Sequence, residues 1–270
     1  MTRPYAEVIG DPIAQSKSPL IHGFWLDALG IDADYRKTHV APDALGAHLR
    51  DRAADPAWRG CNVTVPHKIA ALDHVEDRGG VRDSIGAINT IFRAEDGALV
   101  GTNTDAAGFY VPIAGLDLAG KPVTVIGTGG AARAILFALS KLEVGAVTVL
   151  ARNPLKAAAL LSSFGLKGRT SPIGGAAPRS ALLVNTTTLG MVGQPPLDLD
   201  LGGLDDDAVI YDIVYAPIET PLLAAAHARG LDTIDGLEML VGQAAVAFAL
   251  FFGAEPPRDR DDELRDLLIG

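Results

Sequence analysis

A short β-branched run, Val123-Thr124-Val125-Ile126, enters a glycine cluster, and an alanine-rich run, Ala131 to Leu142, leaves it. Gly127-x-Gly129-x-x-Ala132 fits the fingerprint G-x-G-x-x-G/A, in which a strand turns into a helix around a pyrophosphate. Gly127 would make the tight turn, Gly129 would admit the pyrophosphate, and Ala132 would let helix and strand pack closely. The phosphates would sit on unpaired N–H groups at the positive end of the helix, those of Gly130 and Ala131 among them. The glycines alone suit any tight strand-to-helix turn equally well; the flanking strand and helix favour a nucleotide site. After the next predicted strand comes Leu150-Ala151-Arg152-Asn153-Pro154-Leu155-Lys156. A site for NAD usually places an acid there, about 20 residues past the fingerprint. None is present. Arg152 can pair with a 2′-phosphate and stack on adenine, which points to NADP; a solvated loop arginine is the alternative.

Other polar residues sit where they could meet a second ligand. Ser16-Lys17-Ser18-Pro19 precedes a predicted helix that starts at Pro19, with Ser18 as N-cap, and ends at Gly30. Capping accounts for Ser18 and leaves Ser16 and Lys17 without a role; two hydroxyls at a helix start also suit a carboxylate or a polyol. Cys61-Asn62-Val63-Thr64-Val65 alternates like a strand, and Pro66 opens a predicted helix to Val75. Lys68 would fall in its first turn, where a cation is disfavoured by about 0.3–1 kcal/mol. That is a mild pointer to function, against the commoner snorkelling surface lysine. Asn89 reads equally as a turn residue, and Asp105 as a favourable anion in a first helical turn. Gln243 is a polar residue inside an apolar helix.

The elements that must position these residues follow from periodicity. Further strands are predicted before Gly10 and at Tyr35–Val40, Ala146–Leu150, Ala181–Val184, Val209–Val214 and Leu231–Ile234. Helices are predicted at Pro42–Arg52, from about Ala106, and from Gly236. Asp96-Gly97 predicts a hairpin turn. Thr186 follows one late strand and Tyr215 another, and ligands of open α/β sheets bind at the carboxyl ends of strands. The chain has 270 residues, 48% of them hydrophobic, so two domains are a fair expectation. A net charge of -10 argues against a general nucleic-acid surface. A single cysteine, Cys61, permits no internal disulfide and suits a reducing cytosol. Met1–Tyr5 has no apolar signal core, and the apolar run Leu237–Phe252 is short for a membrane span.

Taken in order, these blocks resemble the shikimate dehydrogenases of the aromatic amino-acid pathway across nearly the whole chain. The blocks are Ser16-Lys17-Ser18-Pro19 with His22, Asn62-Val63-Thr64-Val65-Pro66-His67-Lys68, Gly86-Ala87-Ile88-Asn89-Thr90, and Asn103-Thr104-Asp105 with Gly108. Then come Gly127-Thr128-Gly129-Gly130-Ala131, Asn185-Thr186-Thr187 with Gly190-Met191, Asp212-Ile213-Val214-Tyr215 with Thr220-Pro221-Leu222, and Gly236-Leu237-Glu238-Met239-Leu240 with Gln243. Two departures occur. The usual Asn-Arg-Thr is Ala151-Arg152-Asn153, and the usual Ala in the glycine loop is Thr128.

The resemblance implies two α/β domains with a cleft between them. The substrate domain would be discontinuous, residues 1–104 plus 237–270, and residues 105–236 would form a Rossmann-like NADP domain. Ser16, Ser18, Thr64, Asn89, Tyr215 and Gln243 would hold shikimate, and Lys68 and Asp105 would be the catalytic pair. Gly127, Gly129, Gly130, Ala131, Arg152, Asn153, Thr186 and Met239 would contact NADP; no metal site is assigned. The implied reaction is the reversible NADPH-dependent reduction of 3-dehydroshikimate to shikimate, by a cytoplasmic monomer or homodimer without nucleic-acid or membrane partners. The alternatives are an NAD-preferring quinate/shikimate dehydrogenase and a non-catalytic ligand sensor.

Overall fold

Tyr5–Gly10 (β1) is buried along its whole length, as a parallel strand covered on both faces is. It is an internal strand of a five-stranded sheet ordered β2-β1-β3-β4-β5 in the computed structural model, which describes residues 3–270. Met1 and Thr2, part of the stretch read for a leader, lie outside the described residues. Asp34–His39 (β2) and Trp58–Val63 (β3) flank β1 in parallel. Ser18–Leu29 (α1) and Leu45–Ala54 (α2) lie between these strands in the chain. After Val81–Ser84 (α3), Thr90–Arg93 (β4) and Leu99–Thr102 (β5) complete the sheet as an antiparallel hairpin, with Gly97 at φ 87° in its turn.

The second sheet has six parallel strands. They are Val123–Ile126 (β6), Val147–Leu150 (β7), Gly168–Ser171 (β8), Leu182–Asn185 (β9), Val209–Asp212 (β10) and Asp232–Ile234 (β11). Their order, β11-β10-β9-β6-β7-β8, is the doubly wound order of nucleotide-binding folds, with its switch point between β6 and β9. Both faces are covered, so alternate residues of each strand serve different cores. Val123, Val125, Val147, Val149, Leu182 and Val184 pack with residues of Asp105–Ile113 (α4), Gly130–Ser140 (α5) and Pro154–Ser163 (α6). Ile126, Leu150, Leu183 and Ile210 pack with Pro221–Ala228 (α7) and the leucines of 197–204. Gly236–Phe252 (α8) and Asp261–Ile269 (α9) end the chain.

The chain divides into two compact units. One comprises the residues up to Thr104 together with Val241–Gly270, and the other Asp105–Leu240. No helix among the described residues is long and apolar enough to cross a membrane.

Two local expectations are corrected. No α-helix spans Pro66–Val75: turns lead to a short 3₁₀ helix at Ala70–His74. Remote donors take the carbonyls a helix would use, since Asp11 N–H bonds Val65 O at 3.0 Å and Ile88 N–H bonds Lys68 O at 2.8 Å. Lys68 lies in a turn and is not a cation in a helical first turn. Ser18 is not the N-cap; it is the first residue of α1, and Ser16 Oγ accepts its N–H at 3.3 Å. The edge strand β8 was not foreseen, because its residues are exposed or half-buried and carry no apolar alternation.

Candidate active site

In the unit containing β1, the carboxyl ends of the parallel strands carry most of the residues singled out in the sequence. The segment leaving β1 holds Ser16 and, as the first residue of α1, Ser18, both buried. The segment leaving β3 holds Thr64 and Lys68, each half-buried. Backbone bonds knit them together: Thr64 N–H reaches Ile9 O at 3.0 Å, and Lys68 O receives Ile88 N–H, one residue before Asn89. His67 is buried and donates Nε2–H to Val40 O at 2.7 Å, which anchors the turn beside Lys68.

Asn89 is the hub of a buried polar cluster. Its Nδ2 donates to Thr104 Oγ1 at 2.9 Å and to Gln243 Oε1 at 3.3 Å, while its Oδ1 accepts Thr104 N–H at 2.7 Å. The cluster continues through Thr90 to Asn62, whose Oδ1 accepts the Tyr35 hydroxyl at 2.6 Å. This explains the polar residue inside the apolar α8. Gln243 is 7% exposed and finds its partners in the β4 and β5 region rather than in solvent. A buried amide left without partners would cost about 1–3 kcal/mol, so the cluster also fixes where these groups point. Thr104, a member of this cluster, is not assigned by sequence reasoning; its place in the Asn103-Thr104-Asp105 block is the available signal. His22, quoted in the first block, is fully buried and stacks on Tyr35 at 3.9 Å. Burial pushes its imidazole down to about 3, so it is a neutral aromatic core residue.

In the other unit, Asp105 is the first residue of α4 and is 4% exposed. The glycine loop stands at the switch point of the sheet. Gly127 has φ +114°, and a Cβ there would lie 2.5 Å from Thr186 Oγ1, so only glycine fits. Gly127 N–H bonds Leu150 O, which sets the loop beside the segment carrying Arg152. Gly129 is exposed, and a Cβ there would meet nothing within 4 Å. Gly129 caps α5 without a side-chain hydrogen bond, so the first-turn N–H groups of Gly130 and Ala131 are left for another acceptor. Arg152 is exposed. An accessible first turn at the switch point and an exposed cation beside it fit a phosphorylated dinucleotide.

Three residues expected at the cofactor have structural duties in the fold. Asn153 caps α6, its Oδ1 accepting Lys156 N–H at 3.0 Å. Thr186 Oγ1 donates to Ile126 O at 2.5 Å, pinning the end of β9 to that of β6. Met239 is 6% exposed and belongs to the core under β6 and β9. Tyr215 is half-buried in the loop after β10. That loop is organised by Asp212, which accepts from Asn185 Nδ2 at 2.9 Å, Val214 N–H at 3.0 Å and Thr220 Oγ1 at 2.7 Å. Burial pushes the Asp212 carboxyl up to about 6, against the lowering effect of those three donors.

Residues 8–91 match the family described as the shikimate dehydrogenase substrate binding domain, and residues 236–261 the shikimate 5′-dehydrogenase C-terminal domain. The NADP-dependent shikimate dehydrogenase of Sphingopyxis alaskensis is 65% identical over 266 residues, 98% of this chain and 97% of that one. This chain belongs to the shikimate dehydrogenase family. Among solved members, the shikimate 5-dehydrogenase of Thermus thermophilus, in complex with NADP(H) and shikimate, superposes with a TM-score of 0.84. Identity is 35%, covering 98% of this chain and 99% of that one. The quinate dehydrogenase of Corynebacterium glutamicum, in complex with NAD, gives a TM-score of 0.85 at 31% identity, covering 98% of this chain and 99% of that one. The two-domain Rossmann-like architecture is thus common to family members that differ in substrate and cofactor.

Proposed function

We propose that this protein catalyses the reversible NADPH-dependent reduction of 3-dehydroshikimate to shikimate, in the cytoplasm. The observation that carries the reading is the buried set Asn89, Thr104 and Gln243 beside the Lys68 segment. A ring bearing several hydroxyls needs amides and hydroxyls held in fixed directions, and this cluster holds them.

NADPH, when bound, supplies the hydride for the C3 carbonyl of the ring. Gly127, Gly129, Gly130 and Ala131 would receive its pyrophosphate and Arg152 its 2′-phosphate, with Asn153, Thr186 and Met239 lining the same site. Ser16 and Ser18 would take the substrate carboxylate, aided by Tyr215, and Thr64, Asn89 and Gln243 would orient the ring hydroxyls. Lys68 would stabilise the negative charge growing on the C3 oxygen, and Asp105 would balance the ammonium and share the proton transfer.

The direct test is turnover of shikimate with NADP, followed as NADPH absorbance, with quinate and NAD run in parallel. Shikimate with NADP is the expected best pair. Preference for quinate with NAD would support the rival dehydrogenase, and no turnover would support a sensor. For the cofactor, Arg152→Ala is expected to weaken NADP binding by roughly 10- to 100-fold, the effect of losing one charge-assisted contact to phosphate. NAD binding should change less than about threefold, because NAD has no 2′-phosphate. Equal losses for both cofactors in a calorimetric titration would remove the argument from Arg152.

A further inference from the structure

Lys17 lies between the two serines read here as carboxylate ligands, where a cation would ordinarily be taken for the counter-ion. Its ammonium group is committed elsewhere: Nζ donates to the Leu268 carbonyl, 251 residues away in the chain. Leu268 stands in the last turn of α9, where carbonyls lack intrahelical donors and a cation is electrostatically favoured. Leu264 and Leu268 are buried, at 0% and 1% exposed, so the accepting carbonyl is itself held in place.

Two side chains of β2 also tether the loop between β1 and α1. Lys37 Nζ donates to Ala14 O at 2.8 Å, and His39 Nε2 pairs with Asp11 Oδ1 at 2.9 Å. Those fix the first part of the loop. The Lys17 tether acts at the serines themselves, where Ser16 Oγ accepts Ser18 N–H. Hydrogen bonds from hydroxyls are directional, and binding through neutral groups depends on their alignment more than binding through a point charge does.

We propose that Lys17 is a positioning residue: its bond to the end of α9 sets the placement of the Ser16 and Ser18 hydroxyls and makes α9 part of the substrate-binding apparatus. This rests on the reading of Ser16 and Ser18 as ligands of the substrate carboxylate. The test uses the full-length chain carrying Lys17→Met, Lys17→Arg or Ser18→Ala, with shikimate and NADP varied separately in steady-state kinetics. Lys17→Met is expected to raise KM for shikimate by about 5- to 20-fold while kcat stays within about twofold and KM for NADP is unchanged. Lys17→Arg still reaches a carbonyl and should restore most of the lost affinity. The proposal is overturned if Ser18→Ala raises KM for shikimate and Lys17→Met does not. It is also overturned if Lys17→Met lowers the melting temperature and shifts both KM values together, without rescue by arginine. If Ser18→Ala itself leaves KM for shikimate unchanged, the serine reading fails and the proposal falls with it.

Discussion

Lys68→Ala is expected to lower kcat by roughly 10²–10⁴-fold, the span usual for loss of an acid–base group, with a smaller change in KM for shikimate. Reduction of the C3 carbonyl places negative charge on its oxygen, and a fixed ammonium group lowers the barrier by meeting that charge as it forms. The backbone around Lys68 is held from outside its own segment, by Ile88 N–H on Lys68 O and by Asp11 N–H on Val65 O. The neighbouring His67 ring is anchored to Val40 O. Lysine on a surface helix needs no such scaffolding. Lys68→Arg should also be slow, because a guanidinium keeps its proton at neutral pH. Single-turnover measurement of NADPH oxidation separates the chemical step from product release. An unchanged rate in Lys68→Ala would return this residue to the surface.

The largest expected effect on stability lies at Glu7, a carboxylate on the internal strand β1 that is 0% exposed. Arg52 Nε donates to it at 2.7 Å, Trp58 Nε1 at 3.0 Å and the Thr38 hydroxyl at 2.5 Å, and His48 Nε2 lies 3.1 Å away. Burial alone pushes this carboxyl up, but the hydrogen bonds from His48, Arg52 and Thr38 outweigh it and hold the group at about 2. Glu7→Ala leaves a cavity and several buried donors without an acceptor, and should cost about 3–5 kcal/mol in urea unfolding. The pH dependence has a definite sign. A carboxyl held below its ordinary value of 4.5 contributes its full stabilisation above that pH and loses it as the pH falls toward about 2. Wild-type stability should therefore drop across this acid window, and Glu7→Gln should show a flatter profile there. Equal slopes for the two proteins, or a cost below about 1 kcal/mol for Glu7→Ala, would show that the cluster does not hold α2 to the sheet.

Neither the strength of this cluster nor its existence is visible along the chain. Glu7 reads as an ordinary charged residue in a short strand, because its partners come from β2, α2 and β3, 31 to 51 residues away. Gln243 shows the same limit from the other side. Its oddness in an apolar helix was legible, but Asn89, which resolves it, is 154 residues distant. Pro66–Val75 misled for a related reason. Local propensity favoured a helix, and remote backbone donors at Asp11 and Ile88 took the carbonyls instead.

What the chain determines by itself is everything whose cause is local. The β-branched run, the left-handed turn at Gly127 and the small residues behind it are one continuous segment, so the nucleotide loop, its strand and its helix follow from adjacent residues. The absence of an acid after β7 and the presence of Arg152 are likewise local. Only the tertiary structure decides where the ammonium of Lys17 goes and which polar groups surround Asn89. The physical reason is that a buried polar group is satisfied by whatever donor or acceptor the fold brings within about 3 Å, and that choice carries no signature in sequence spacing.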